Sequence, residues 1–271
     1  MEHALLVKPE ELYHILSLPG LLIIDARTAE EYEQGHITDA VHLPPERLEE
    51  TVSLDNQHEV QSQVTETSRA REVFRSAGIR DDSRIVVYDA GGTYRAARLL
   101  WIFHYFGHSS AQLLDGGFEG WREDVNITND KEVSVPRGNF TPKPDETLLA
   151  DFFTVITSIG RGSKKLCNSL DEESFAEGAI PGSVNLPYEH TFRQGKYPMM
   201  RNKKELLSMF EKVGATPDKE VICYCGVGYS SCQLYVAAKV AGFERVAVYD
   251  GSMQEWKARG GELLPYGGVK K

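Results

Sequence analysis

The chain has few cysteines, no long apolar run and no excess of positive charge, and each shortage removes a class of protein. Four cysteines in 271 residues are too few for a disulfide scaffold. No apolar run approaches the ~18–20 residues that a membrane helix needs. The opening Met1-Glu2-His3-Ala4-Leu5-Leu6 lacks the basic stretch and cleavage site of a secretory signal, which predicts a cytoplasmic protein. Thirty Lys and Arg stand against forty Asp and Glu, a net charge of −10. That balance has the wrong sign for a nucleic-acid partner. Any anionic substrate must be met by a local arrangement that works against the global charge.

What is present is repetition. Leu22-Ile23-Ile24-Asp25-Ala26-Arg27 runs into Glu30-Glu31-Tyr32, Gly35-His36-Ile37 and Ala40-Val41-His42-Leu43-Pro44. Later, Leu166-Cys167-Asn168-Ser169-Leu170 runs into Glu172-Glu173-Ser174-Phe175, Gly178-Ala179-Ile180-Pro181-Gly182 and Val184-Asn185-Leu186-Pro187. Each half then carries an apolar run ending in a turn, Ile85–Asp89 or Val221–Cys225, and a second turn, Asp115-Gly116-Gly117 or Asp250-Gly251-Ser252. Tyr88 and Tyr224 lie 136 positions apart, Trp121 and Trp256 135. This order marks a duplicated domain. Short β-branched runs alternate with helical stretches such as 95–106, where Ala96, Leu99, Leu100 and Phe103 share one face. The alternation predicts an α/β fold in which each copy is a mainly parallel sheet with helices on both faces. The boundaries fall at 1–128 and 147–271, with a Pro- and Gly-bearing linker over 129–146.

The cysteines all lie in the second copy. Cys223-Tyr224-Cys225 with Cys232 is not a zinc-finger spacing, and His190 stands in no ligand pattern, so no metal or other cofactor is expected. Cys225 ends a strand and is followed by Gly226-Val227-Gly228-Tyr229-Ser230-Ser231, after which a helix begins. Two glycines let the backbone turn its N–H groups toward one centre, and the helix N-terminus adds positive potential. A thiol there is lowered in pKa and becomes nucleophilic. Ser230 and Ser231 serve either as further donors to the sulfur or as helix caps. Cys167, Cys223 and Cys232 read as small apolar core residues, with Cys232 also placed to resolve an oxidised Cys225.

These residues resemble a known family. Asp25-x-Arg27, Gly35-His36-Ile37, Leu114-Asp115-Gly116-Gly117, Gly178-x-Ile180-Pro181-Gly182, the Cys225 loop and Tyr249-Asp250-Gly251-Ser252 are similar to rhodanese homology domains. The whole chain resembles a tandem-domain sulfurtransferase. The resemblance implies that only the second domain is catalytic, because Asp89 replaces the cysteine in the first. It implies that Cys225 takes a sulfane sulfur from a donor such as thiosulfate and passes it to a thiophilic acceptor, cyanide or a thiol. The amides and hydroxyls of Gly226, Val227, Gly228, Tyr229, Ser230 and Ser231 would cradle the persulfide.

The sequence departs from the family in its cations. Basic residues follow the cysteine in thiosulfate-preferring members, and mercaptopyruvate-preferring members read Cys-Gly-Ser-Gly. Here the loop reads Cys225-Gly226-Val227-Gly228, and Leu170 replaces the arginine of the Asp-x-Arg pattern. Arg193, Lys196 and Arg95 are the candidate anion-binding residues; Arg27 is expected to pair with Asp25. Three other readings stay open: a 3-mercaptopyruvate sulfurtransferase, a persulfide carrier that loads once without turnover, and a cysteine phosphatase or arsenate reductase. Against the last, Ser231 stands where a Cys-x5-Arg motif places its arginine.

Overall fold

The β-branched runs become the centres of two parallel sheets. In the first, Arg84–Tyr88 lies between Leu21–Asp25 and Gln112–Leu114, with Leu6–Val7 and Val41–His42 at the edges. In the second, Glu220–Tyr224 lies between Lys164–Asn168 and Val246–Tyr249, with Leu149–Ala150 and Val184–Asn185 at the edges. Every pairing within these sheets is parallel, and the two strand orders correspond. Helices on the connections flank both sheets, as the strand–helix alternation requires. This computed structural model describes residues 5–129, 131 and 133–264. Residues 1–4 of the opening segment, linker positions 130 and 132, and the last positions of the second predicted domain lie outside the described residues.

The duplication reaches individual hydrogen bonds. Asp25 is in register with Tyr88, and Asn168 with Tyr224. Ala26 N–H donates to Tyr88 O and Ser169 N–H to Tyr224 O, at 2.8 and 3.0 Å. The Trp121 and Trp256 indoles donate to Ile127 O and Glu262 O, both at 2.8 Å. Each indole is buried in the core of its own sheet, beside Tyr88 in one and Tyr224 in the other. Burial of an aromatic of this size contributes about 4–6 kcal/mol before entropy is counted.

Three features depart from the sequence pattern. The helix Arg95–Tyr105 does not bury one face only: Ala96 to Tyr105 are all buried, because it packs on the sheet and beneath the turn Pro45–Leu48. The stretch 133–145 has no helix or strand, yet Gly138, Phe140 and Lys143 N–H groups donate to Arg75, Ile79 and Phe106 carbonyls. Glycine is required at 138, since a Cβ there would lie 1.8 Å from Ile79 O. Finally, the described residues divide into compact units that do not follow chain order. One unit holds 5–48, 65–145 and 192–200; the other holds 49–64, 146–191 and 201–264. The antiparallel hairpin Glu49–Ser53/Glu59–Val64 thus belongs to the cysteine-bearing unit. The pair Phe192–Arg193/Met199–Met200 belongs to the other. Among the described residues, no helix is long and apolar enough to cross a membrane.

Candidate active site

In an open parallel sheet the loops at the carboxyl ends of the strands form the binding edge. Cys225 follows directly on the strand Glu220–Tyr224, and the helix Ser230–Ala241 starts five residues later. The loop between is shaped by the neighbouring helix Ser252–Ala258. Its first amides, which have no partner inside their own helix, take the loop carbonyls: Met253 N–H donates to Cys225 O and Gln254 N–H to Gly226 O, both at 3.0 Å. In a trans peptide the N–H opposes the C=O, so the following amides, Gly226 and Val227, turn away from that helix. Gly228, at φ +91°, completes the turn and brings its N–H to 3.1 Å from Cys225 Sγ.

Two hydroxyls complete the setting. Ser231 Oγ lies 3.6 Å from Sγ and Ser252 Oγ 3.9 Å. The helix N-cap is Tyr229, without a side-chain cap hydrogen bond, so neither serine occupies the cap position. The Ser230 hydroxyl also pairs with Ser169 Oγ at 2.9 Å. Burial pushes the Cys225 thiol up, but hydrogen bonds from the Ser231 amide and hydroxyl, the Ser230 hydroxyl and the Val227 amide outweigh it and hold the thiol below its ordinary value.

The remaining thiols behave differently. Cys167 and Cys223 sit side by side on adjacent strands, fully enclosed, and burial pushes Cys167 up to about 12 and Cys223 well above its ordinary value. Cys232 is also buried, its Sγ donating to Gly228 O at 3.1 Å. All four cysteines are free thiols.

Sequence reasoning missed Ser252 and Glu49. Ser252 takes φ +48°, a left-handed conformation that Gly117 adopts at the matching position of the first copy. Its Oγ accepts from Cys225 N–H at 3.0 Å and donates to Tyr249 O at 2.8 Å, fixing the backbone of the cysteine itself. The signal was a serine aligned with a turn glycine. Glu49 accepts from the loop residue Tyr229 Oη at 3.0 Å, and the same hairpin reaches Asp250 through Val64 N–H and Gln254 through Gln61 N–H.

The three sequence-nominated cations all fall in the other compact unit. Arg95 makes a two-pronged pair with Glu46, both bonds 2.7 Å, and donates to Ala26 O. Lys196 pairs with Glu123 at 3.0 Å and with Asp124 at 3.6 Å. Arg193 is the exposed residue of the strand Phe192–Arg193; burial raises the pKa of Asp115, and the Arg193 charge offsets part of that rise. Arg27 pairs with Asp25 as expected, at 2.6 Å in a buried site. Tertiary partners decide what these cations do, and sequence spacing does not display them.

The first copy shows what the loop is built to hold. Asp89 occupies the cysteine's position, and its carboxylate accepts from Gly91 N–H, Thr93 Oγ and Ala96 N–H. The same helix-to-loop bonds recur, Phe118 N–H to Asp89 O and Glu119 N–H to Ala90 O.

A model of the rhodanese-like domain matches residues 8–124 and 159–259. The chain belongs to the rhodanese-like family. It is similar to the 3-mercaptopyruvate sulfurtransferase of Escherichia coli (strain K12), 29% identical over 262 residues, covering 89% of this chain and 90% of that protein. It is similar also to the thiosulfate sulfurtransferase of Pseudomonas aeruginosa, 28% identical and covering 93% of each. Among solved structures, the rhodanese-like sulfurtransferase SseA from Escherichia coli aligns with TM-score 0.82 at 25% identity, over 92% of this chain and 98% of that one. An anaerobic ergothioneine biosynthesis enzyme from Chlorobium limicola shares the fold, with TM-score 0.81 at 20% identity, over 94% of this chain and 68% of its own.

Proposed function

We propose that this rhodanese-like protein is a sulfurtransferase that carries sulfane sulfur on Cys225. The observation that carries the reading is the contact set of Cys225 Sγ: one loop amide at 3.1 Å and two hydroxyls within 3.9 Å, on a thiol held below its ordinary pKa. The thiolate attacks the outer sulfur of the donor, the donor's S–S bond breaks with the electron pair leaving on the departing group, and a Cys225 persulfide forms. The loop donors then stabilise the charge on the outer sulfur without reorganising, because the neighbouring helix has already fixed their carbonyls. A thiophilic acceptor, cyanide or a thiol, removes the sulfur and restores the thiolate. Both substrates are small molecules, and the curated relatives support this class of chemistry. Four free thiols suit a reducing, cytoplasmic setting.

Intact mass after incubation with sulfane donors tests the reading. The expected gain is one sulfur atom, about 32 Da, abolished in Cys225→Ala. The absence of an adduct from every donor refutes it. Multiple turnovers with cyanide distinguish an enzyme from a carrier that loads once.

A further inference from the structure

The cysteine loop is held from outside its own repeat. The hairpin Glu49–Ser53/Glu59–Val64 comes from the first half of the sequence, yet it lies in the cysteine-bearing unit. Val64 N–H donates to Asp250 Oδ2 at 2.7 Å and Gln61 N–H to Gln254 Oε1 at 2.8 Å, which anchors the hairpin to the turn and helix that take the loop carbonyls. Glu49, the register partner of Val64, reaches the loop itself and accepts from Tyr229 Oη at 3.0 Å. Tyr229 stands between the donors to sulfur: Gly228 N–H, one residue before it, is 3.1 Å from Cys225 Sγ, and Ser231 Oγ, two residues after it, is 3.6 Å away. The unit of the first copy repeats the anchor without the carboxylate. There Met200 N–H, from the pair Phe192–Arg193/Met199–Met200, donates to Asp115 Oδ1 at 2.8 Å, so the anchor belongs to the fold. Tyr94 precedes the matching helix as Tyr229 precedes its own. The position that answers Glu49, first after the turn Tyr188–Thr191, is Phe192, whose side chain has no acceptor. A carboxylate thus stands at this position of the hairpin only in the unit with the cysteine, and it is buried, where a charge is retained only with a good partner.

Resting on the Cys225 persulfide reading, we infer that Glu49 is a positioning residue for the sulfur cradle: through Tyr229 it fixes the loop between its donors and so sets the reactivity of Cys225. The physical basis is the steepness of hydrogen bonding with direction and distance. The Gly228 amide and the Ser231 hydroxyl sit on opposite sides of Tyr229, so a rotation of that one residue moves both relative to Sγ. Tyr229 is a half-exposed loop residue without a side-chain cap to its helix, and its hydroxyl is the group through which the clamped hairpin restrains it. Glu49 touches neither the sulfur nor the donor atoms; its effect passes through the tyrosine.

The test measures the rate of Cys225 alkylation by iodoacetamide against pH in the full chain, with peptide mapping to assign the thiol. Tyr229→Phe keeps the ring and removes the hydroxyl, so it retains the fold. It should slow alkylation at neutral pH by about tenfold, the scale on which one hydrogen bond to a charged group acts, and displace the profile to higher pH. Glu49→Ala should do the same, and the two substitutions together should do no more than either, because both break one contact. Glu49→Gln, whose Oε1 still accepts from Tyr229, should stay close to the wild-type profile. A Tyr229→Phe profile matching wild type overturns the inference, and so do additive effects of the two substitutions. Glu49→Gln behaving as Glu49→Ala also overturns it, since charge and not position would then be the cause. Alkylation requires no sulfur donor, so these results stand apart from sulfur loading: absence of a persulfide adduct from every donor overturns the persulfide reading itself.

Discussion

Ser252 sets two energies against each other, and two substitutions separate them. Its left-handed backbone, φ +48°, is unfavourable for a residue with a Cβ by about 1–2 kcal/mol. Against this, its hydroxyl satisfies the buried Cys225 N–H at 3.0 Å and donates to Tyr249 O at 2.8 Å. Removing the hydroxyl leaves a buried donor without its partner, a loss of about 1–3 kcal/mol. Ser252→Ala loses the hydrogen bonds and keeps the strain, so it should destabilise by about 2–3 kcal/mol. Ser252→Gly loses the same bonds but relieves the strain. After glycine's extra unfolded-state freedom is allowed for, it should be about 1 kcal/mol more stable than the alanine variant. Both should slow persulfide formation equally, since both free the Cys225 amide and remove the hydroxyl 3.9 Å from Sγ. Denaturant unfolding of the pair, with the rate measured on each, is the assay. A glycine variant no more stable than the alanine variant would refute the claim that this serine is held in a strained conformation for the sake of the cysteine.

Other consequences follow from the same geometry. Gly228→Ala places a Cβ at φ +91° and should destabilise by about 1–2 kcal/mol, with loss of sulfur loading as the amide leaves Sγ; unfolding and intact mass measure both. Iodoacetamide should label Cys225 in the folded chain at a pH below the ordinary thiol range, and Cys167 and Cys223 only after denaturation, as peptide mapping will show. Because the folded state favours the Cys225 thiolate, it adds stability above the ordinary thiol value, and the addition is lost as pH falls through the lowered one. Cys225→Ala should remove that dependence from unfolding measured against pH. Asp25→Ala strands the buried Arg27 charge and should destabilise the first unit by about 3–5 kcal/mol, whereas Asn168→Ala, with no ion pair to break, should lose less; unfolding curves compare them.

The turn that follows the strand Glu220–Tyr224 was legible because its signal is local. A strand, a cysteine, two glycines and a helix start stand in consecutive positions, and each imposes its geometry on the next. The duplication was legible because it repeats at a fixed interval, and the shared register of Asp25 with Tyr88 and Asn168 with Tyr224 is its structural form. What escaped is what depends on distant chain. Glu49 meets Tyr229 across 180 positions, and nothing near either residue announces the contact. The partners of the nominated cations are equally distant in sequence: Arg95 pairs with Glu46, and Lys196 with Glu123 and Asp124, partners chosen by packing.

The two loops also bear on why an acidic chain is able to stabilise an anion at all. In the first copy the loop holds Asp89, a carboxylate that accepts from two amides and a hydroxyl and is attached to the strand it serves. In the second, the corresponding donors face a thiol, and the negative charge appears there only when Cys225 ionises or carries sulfur. Both loops spend their N–H groups on one centre while the next helix takes their carbonyls. Net charge does not enter this arrangement, because the donors are backbone dipoles fixed by hydrogen bonds within a few ångströms. An overall charge of −10 therefore leaves the sulfur site intact.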